Sequence, residues 1–196
     1  MTQGSEPMYS ERLDRAVALA TDAFRTHYRK GSGVPYLTHL FQVMVTVGEY
    51  GGDEDQMIAA LLHDYLEDVR DATGEELDER FGPRVRRLVE QLSDTTDYPK
   101  PPWRERKEVY LEKLRNEPEE LKLISAADKL HNARSILRDL RTIGEELWER
   151  FTGKKEGSLW YYGAVVDALG EGWAHPILEE LRETVAAVGV ASAEDE

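Results

Sequence analysis

The chain of 196 residues contains no cysteine. That excludes a disulfide framework, a thiolate metal site and a thiol nucleophile. It has no apolar run of transmembrane length, and Met1 to Ser10 is polar with no signal-peptide core. A soluble cytoplasmic protein with no membrane partner is expected. Strand-like alternation persists nowhere, and no internal repeat or linker breaks the pattern. Positive charge is scarce: 25 Lys and Arg stand against 39 Asp and Glu, a net charge of −14. Nucleic-acid binding draws its affinity from basic patches, so no nucleic-acid partner is expected. An anionic small molecule faces the same repulsion, and needs a metal and a few local cations to overcome it.

What is present is helical periodicity. A single all-α domain over 1–196 is predicted, with a core over about 9–188 and flexible ends at the first few residues and at 191–196. Helices are expected at 9–28, 36–50, 53–67, 83–92, 103–116, 118–141, 144–151, 158–169 and 174–188. The first carries Leu13, Ala16, Val17, Ala20 and Phe24 on one face. Pro35 suits the first turn of the second, and Gly51-Gly52 stops it. Asp53 is placed to cap the third. Thr73-Gly74-Glu75-Glu76 has the capping-box pattern and opens a short helix to Phe81. The clearest loop is 93–102, with three prolines.

The chemistry concentrates in Ala59-Ala60-Leu61-Leu62-His63-Asp64-Tyr65-Leu66-Glu67-Asp68. Ionisable groups are costly to bury unless paired or bound to metal. Imidazole plus carboxylate suits Mn, Fe or Zn. Taken alone, His63-Asp64 reads equally well as a capping or hydrogen-bonded pair. Glu67 and Asp68 fall one turn further on, where an acid pair can act on a bound water, or simply end a solvated helix. His39 lies near the start of a helix that carries Leu37, Leu40, Phe41, Met44, Val45 and Val47. Asp128, Asn132 and Ser135 share a helix face beside an apolar stripe of Leu123, Ala127, Leu130 and Leu137.

These segments resemble the HD-domain phosphohydrolases. More narrowly, they resemble the hydrolase domain of the RelA/SpoT alarmone enzymes and the stand-alone small alarmone hydrolases. The matching text is Ser32-Gly33-Val34-Pro35-Tyr36-Leu37-Thr38-His39, Leu61 to Asp68, Phe81-Gly82 and Ala127-Asp128-Lys129-Leu130-His131-Asn132-Ala133-Arg134. The likeness runs from about residue 10 to about residue 170. It implies an HD helical bundle in which His39, His63, Asp64 and Asp128 hold one divalent metal, Mn²⁺ or another transition metal. Glu67 and Asp68 are then the catalytic pair. The implied reaction removes the 3′-pyrophosphate of (p)ppGpp, by hydrolysis only, since the length leaves no room for a synthetase domain.

The resemblance also implies substrate contacts. Arg29 and Lys30 correspond to a basic pair before the Ser-Gly-x-Pro-Tyr text, but Gly31 adds one residue and shifts Lys30 into the arginine position. Arg and Lys are not equivalent toward phosphate. Ser32, Asn132 and Ser135 would fix ribose or phosphate oxygens, and Lys154 a distal phosphate. Trp160 to Tyr162 read mainly as core and interface aromatics. His131 reads as a structural histidine bonded to backbone, and His27 and His175 as surface or helix-end residues. The rival readings are an NADPH phosphatase, another HD nucleotidase, and a non-catalytic nucleotide sensor or partner-binding protein. An oligomer is left open.

Overall fold

The computed structural model describes residues 9–93 and 101–193; the expected flexible first residues, the centre of the 93–102 loop and the last three residues lie outside these. The described residues form ten α-helices, one 3₁₀ helix and no strand. They are α1 (Glu11–Ala23), α2 (Leu37–Glu49), α3 (Glu54–Leu61), α4 (Tyr65–Asp68), α5 (Gly74–Phe81), α6 (Pro83–Leu92), α7 (Trp103–Arg115), α8 (Glu119–Ile143), the 3₁₀ helix Gly144–Arg150, α9 (Lys154–Gly170) and α10 (Pro176–Ala193).

Helices α1, α3 and α5 start where a side chain provides an acceptor for orphan N–H groups. Ser10 caps α1 through the Arg12 N–H at 3.2 Å. Asp53 caps α3 in a full capping box: its carboxylate accepts from the Gln56 N–H, and the Gln56 amide oxygen accepts from the Asp53 N–H, each at 3.0 Å. At Thr73 only half of the expected box forms. Thr73 Oγ1 accepts from the Glu76 N–H, but the Glu76 carboxylate accepts from Tyr65 Oη at 2.9 Å instead.

The centre is built by α2, α3 and α8, which pack on one another. Leu40, Val43 and Val47 of α2 meet Ile58, Ala59 and Leu61 of α3 and Ile124, Ala127 and Leu130 of α8, all buried. Leu137 of the same α8 stripe, Phe41 and Leu37 are partly buried, and Val45 faces outward. On α1, Ala16, Ala20 and Phe24 are buried. Helix α10 covers α8 and α9. A smaller cluster of Ile136, Leu140, Leu147, Trp148 and Val188 closes that end of α8.

Several boundaries differ from expectation. The helix expected over 53–67 is two helices, broken at 62–64. Leu62 adopts φ −110 and ψ 11, outside the α region. The Ala60 carbonyl takes its hydrogen bond from the His63 ring at 2.7 Å, so a side chain occupies a ladder acceptor. Pro35 is not in a first helical turn: it bridges to Tyr28, and α2 begins at Leu37. The first helix stops at Ala23, and 144–150 is 3₁₀. Helix α9 begins at Lys154. The tail from Ala191 is helical through Ala193, where the Ser192 carbonyl accepts from Lys155 Nζ.

Candidate functional site

The break after α3 turns two consecutive residues toward α2 and α8. Four side chains meet there. His63 Nε2 lies 2.9 Å from Asp64 Oδ2 and 3.8 Å from Asp128 Oδ1. His39 Nε2 lies 3.2 Å from Asp128 Oδ1 and 3.9 Å from Asp64 Oδ2. One donor atom from each of His39, His63 and Asp128 falls within 4.8 Å of the others. Asp64 stands outside that trio but touches it through His63, and two imidazoles with two carboxylates in one cluster fit a divalent transition metal in charge and in ligand type.

Every one of the four has a partner behind it. The Ala60 carbonyl can only accept, so His63 Nδ1 carries a proton in either charge state, and the neutral ring presents its Nε2 lone pair to the site. His39 Nδ1 lies 2.7 Å from His131 Nδ1. Tyr36 Oη donates to Asp64 Oδ2 at 2.6 Å. Asp128 accepts from Asn132 Nδ2 at 2.6 Å through Oδ1, and from the Lys129 ammonium through Oδ2. Partners of this kind fix ligand orientation and tautomer.

The charges follow from burial and pairing. Burial pushes His39 below its ordinary range, against the pull of Asp128. Burial also works against charge on His63, but Asp64 and Asp128 outweigh it and raise the pKa to about 9. Burial would raise Asp64, yet His63 beside it brings it down to about 2. Burial opposes ionisation of Asp128 too, but Lys129, His39 and His63 hold it well below the carboxylate range. His131 falls to about 3 through burial and the nearby His39 and Arg29, so it is neutral near pH 7. Burial, then Asp64, keep Tyr36 protonated as a donor.

These four side chains line a cavity of about 190 Å³ together with Glu67, Lys107, Lys129, Tyr110 and Tyr161. Glu67 is half-buried there; Asp68 is exposed and is not among the lining residues. The Asp68 backbone carbonyl lies 3.3 Å from His27 Nε2. A second cavity of about 240 Å³ shares Tyr36 and Asn132 with the first. Arg29, Lys30, Ser32 and Ser135 line it, so five of the six suggested substrate contacts, counting Asn132, gather there.

Lys154 stands apart. It is exposed and pairs with Glu149 at 2.5 Å, lining neither cavity. Ser32 Oγ donates to the Arg29 carbonyl at 3.3 Å, and Ser135 Oγ to the His131 carbonyl at 2.9 Å. The additional Gly31 is absorbed by a tight hairpin. The Arg29 N–H donates to the Val34 carbonyl at 2.7 Å, and Gly31 and Gly33 take φ of +70 and +69. Arg29, not the shifted Lys30, is then the residue bonded to the site: its Nη2 donates to Asn132 Oδ1 at 2.8 Å.

His131 differs from expectation, because its ring partners His39 rather than backbone. His175 is a helix-end residue whose Nδ1 accepts from the Ile177 N–H at the start of α10. Tyr161 is a core aromatic that also walls the metal cavity, and Tyr162 lines the second. Sequence reasoning missed Tyr36, Lys129, Lys107 and Arg150 as site residues. Tyr36 stands one turn before His39 and Lys129 directly after Asp128, a detectable signal. Arg150 has none, since its place depends on how the 3₁₀ helix folds back.

A model described as "HD domain" matches residues 16–157. Human MESH1, a guanosine-3′,5′-bis(diphosphate) 3′-pyrophosphohydrolase, is 37% identical over 148 residues, covering 74% of this chain and 76% of that protein. Escherichia coli SpoT, a bifunctional (p)ppGpp synthase/hydrolase, is 35% identical over 132 residues. The match takes in 64% of this chain but only 18% of SpoT, and only 12% of a 3′-pyrophosphohydrolase from Aquifex aeolicus. Among solved structures, a metazoan SpoT orthologue that hydrolyses ppGpp superposes with a TM-score of 0.77 at 28% identity, covering 95% of this chain and 99% of that one. With residues 16–157 matching, and His39, His63, Asp64 and Asp128 converging on one point, the chain belongs to the HD-domain family.

Proposed function

We propose that the chain hydrolyses the 3′-pyrophosphate of guanosine alarmones, converting (p)ppGpp to GDP or GTP and pyrophosphate. The observation that carries this reading is the convergence of His39, His63, Asp64 and Asp128 beside Glu67, next to a second cavity rimmed by Arg29, Lys30 and Arg150. The names of the relatives support it. Manganese is the ion we assign, since imidazole and carboxylate both suit it. When bound, it supplies Lewis-acid polarisation of a phosphoryl oxygen and lowers the pKa of water.

The residues divide the remaining work. Glu67 takes the proton of the attacking water; Asp68, exposed outside the cavity, adds negative charge beside Glu67 and does not line the reacting centre. A bond forms between water oxygen and the phosphorus on the ribose 3′ oxygen. The bond to that 3′ oxygen breaks, and Glu67 gives that oxygen the proton it took from water. Lys129 and Arg29 offset negative charge on the phosphoryl groups, in a protein whose overall field repels them. Asn132 ties the two cavities together by bonding Asp128 and Arg29 at once.

The test is turnover by the manganese-loaded protein, with products separated by ion-exchange chromatography. GDP and intact pyrophosphate are expected from ppGpp. Two separate orthophosphates would mean stepwise phosphatase action. No loss of ppGpp, where NADPH or a nucleoside monophosphate is consumed, would reject the alarmone assignment.

A further inference from the structure

The second cavity has apolar walls from Val34, Ile136, Leu147 and Phe151, closed by the Arg29 hairpin. Set among them is a charged pair: Arg150 Nη1 donates to Asp139 Oδ2 at 3.0 Å, and both side chains are three-quarters buried. No other hydrogen bond involves the Arg150 guanidinium among the described residues. Its aliphatic stem is also fixed. The hairpin packs on it: a Cβ on Gly31 would lie 2.7 Å from Arg150 Cδ, and the φ of +70 there favours glycine. A guanidinium held by its stem on one side and by a carboxylate at one nitrogen keeps a defined orientation, with donors left for a ligand.

We infer that Arg150, positioned by Asp139, is the residue that selects guanine over adenine in the second cavity; this rests on the proposed reading of that cavity as the place of the nucleoside. The argument is one of edges. Guanine offers two adjacent acceptors, O6 and N7, which match a forked guanidinium. Adenine offers one acceptor and an amino donor at the same two positions, so one arginine N–H would face another donor. An apolar slot supplies stacking area to either base and does not distinguish them. A donor fork does, because the wrong base leaves a desolvated donor unpaired. Asp139 does not touch the base in this account. It acts through Arg150, by removing one N–H from the choice and holding the plane.

Equilibrium binding of GDP and of ADP, measured by calorimetry on the manganese-loaded protein, tests this without requiring turnover. The wild type should bind GDP about ten- to a hundredfold more tightly than ADP. Arg150→Met should weaken GDP to near the ADP value and leave ADP little changed. Arg150→Lys keeps the stem beneath Gly31 and the charge opposite Asp139 but loses the fork, and should also lose most of the preference. Manganese content should be unchanged in both variants. A wild type without guanine preference, or binding neither nucleotide, overturns the inference; so does a preference that survives in a folded Arg150 variant. If ppGpp is not hydrolysed but the GDP preference exists and vanishes with Arg150, the inference stands and the hydrolase reading falls.

Discussion

The two cavities are built on different plans. The cavity proposed for the metal is made by side chains on or beside three packed helices, and His39, His63, Asp64 and Asp128 are each backed by a second group within hydrogen-bond reach. The neighbouring cavity is made by a glycine hairpin, a 3₁₀ helix and the far half of α8, with contacts such as Arg29 to Asn132 that join residues 103 apart in sequence. Both draw on residues distant in sequence, since His39 and His131 of the first are 92 apart; they differ in that the first gathers ionisable groups and the second sets cations among apolar walls.

The largest effect should come from the ligands themselves. His63→Ala or Asp128→Ala is expected to abolish both metal retention and turnover. Elemental analysis after desalting checks this, and full metal content in both variants would dismiss the assignment. Next is Glu67→Gln, which should keep the metal but lower kcat by about 10²-fold or more. An unchanged rate would move the base elsewhere.

A smaller effect is expected from the supporting partner. His131→Leu removes the group opposite His39 Nδ1 and should weaken metal binding by about 10- to 100-fold, with partial rescue by His131→Gln. Metal titration in a competing chelator reads it. The pH dependence has a definite sign. A proton on His63 competes with the ion, and that proton is held up to about pH 9. Metal affinity should therefore rise with pH by about tenfold per unit below that point and level off above it. Without metal the sign for stability is opposite. The raised His63 pKa stabilises the fold fully below its unfolded value, and that contribution is lost as pH rises through about 9. Chemical denaturation of the metal-free protein at pH 6 and pH 10 measures it.

The smallest effects separate the rims. Lys30→Ala should raise KM severalfold with little change in kcat, and less so at high salt. Lys154→Ala should change neither, because Lys154 pairs with Glu149 outside both cavities. A larger KM effect from Lys154 than from Lys30 would reverse the placement of the substrate.

How much was legible follows the same division. The helices read well from periodicity, while His39, His63, Asp64 and Asp128, which the structure brings together, were named from a family resemblance carried by short, contiguous text. The break at Leu62 did not, since Leu61 and Leu62 continue an apolar pattern that a helix would also bury. What ends the helix is a ring N–H reaching the Ala60 carbonyl, a competition that periodicity does not register. The same limit applies to His131. Its position three residues after Asp128 was visible, but a partner on α2, 92 residues away, was not. Arg29 was legible as a charge, while its geometry depended on how two glycines with positive φ folded the hairpin back.

Helix α8 runs unbroken for 25 residues and contributes to both cavities. Asp128, Asn132, Ser135 and Asp139 stand on it at steps of four, three and four, three full turns on one face. At 1.5 Å per residue, the metal-side carboxylate and the carboxylate behind Arg150 are about 16 Å apart along one straight rod. The helix thus works as a gauge. On the proposed placement of phosphorus at one cavity and base at the other, a substrate would be measured against a fixed scale, and a molecule a few ångströms too short or too long would not satisfy both marks at once.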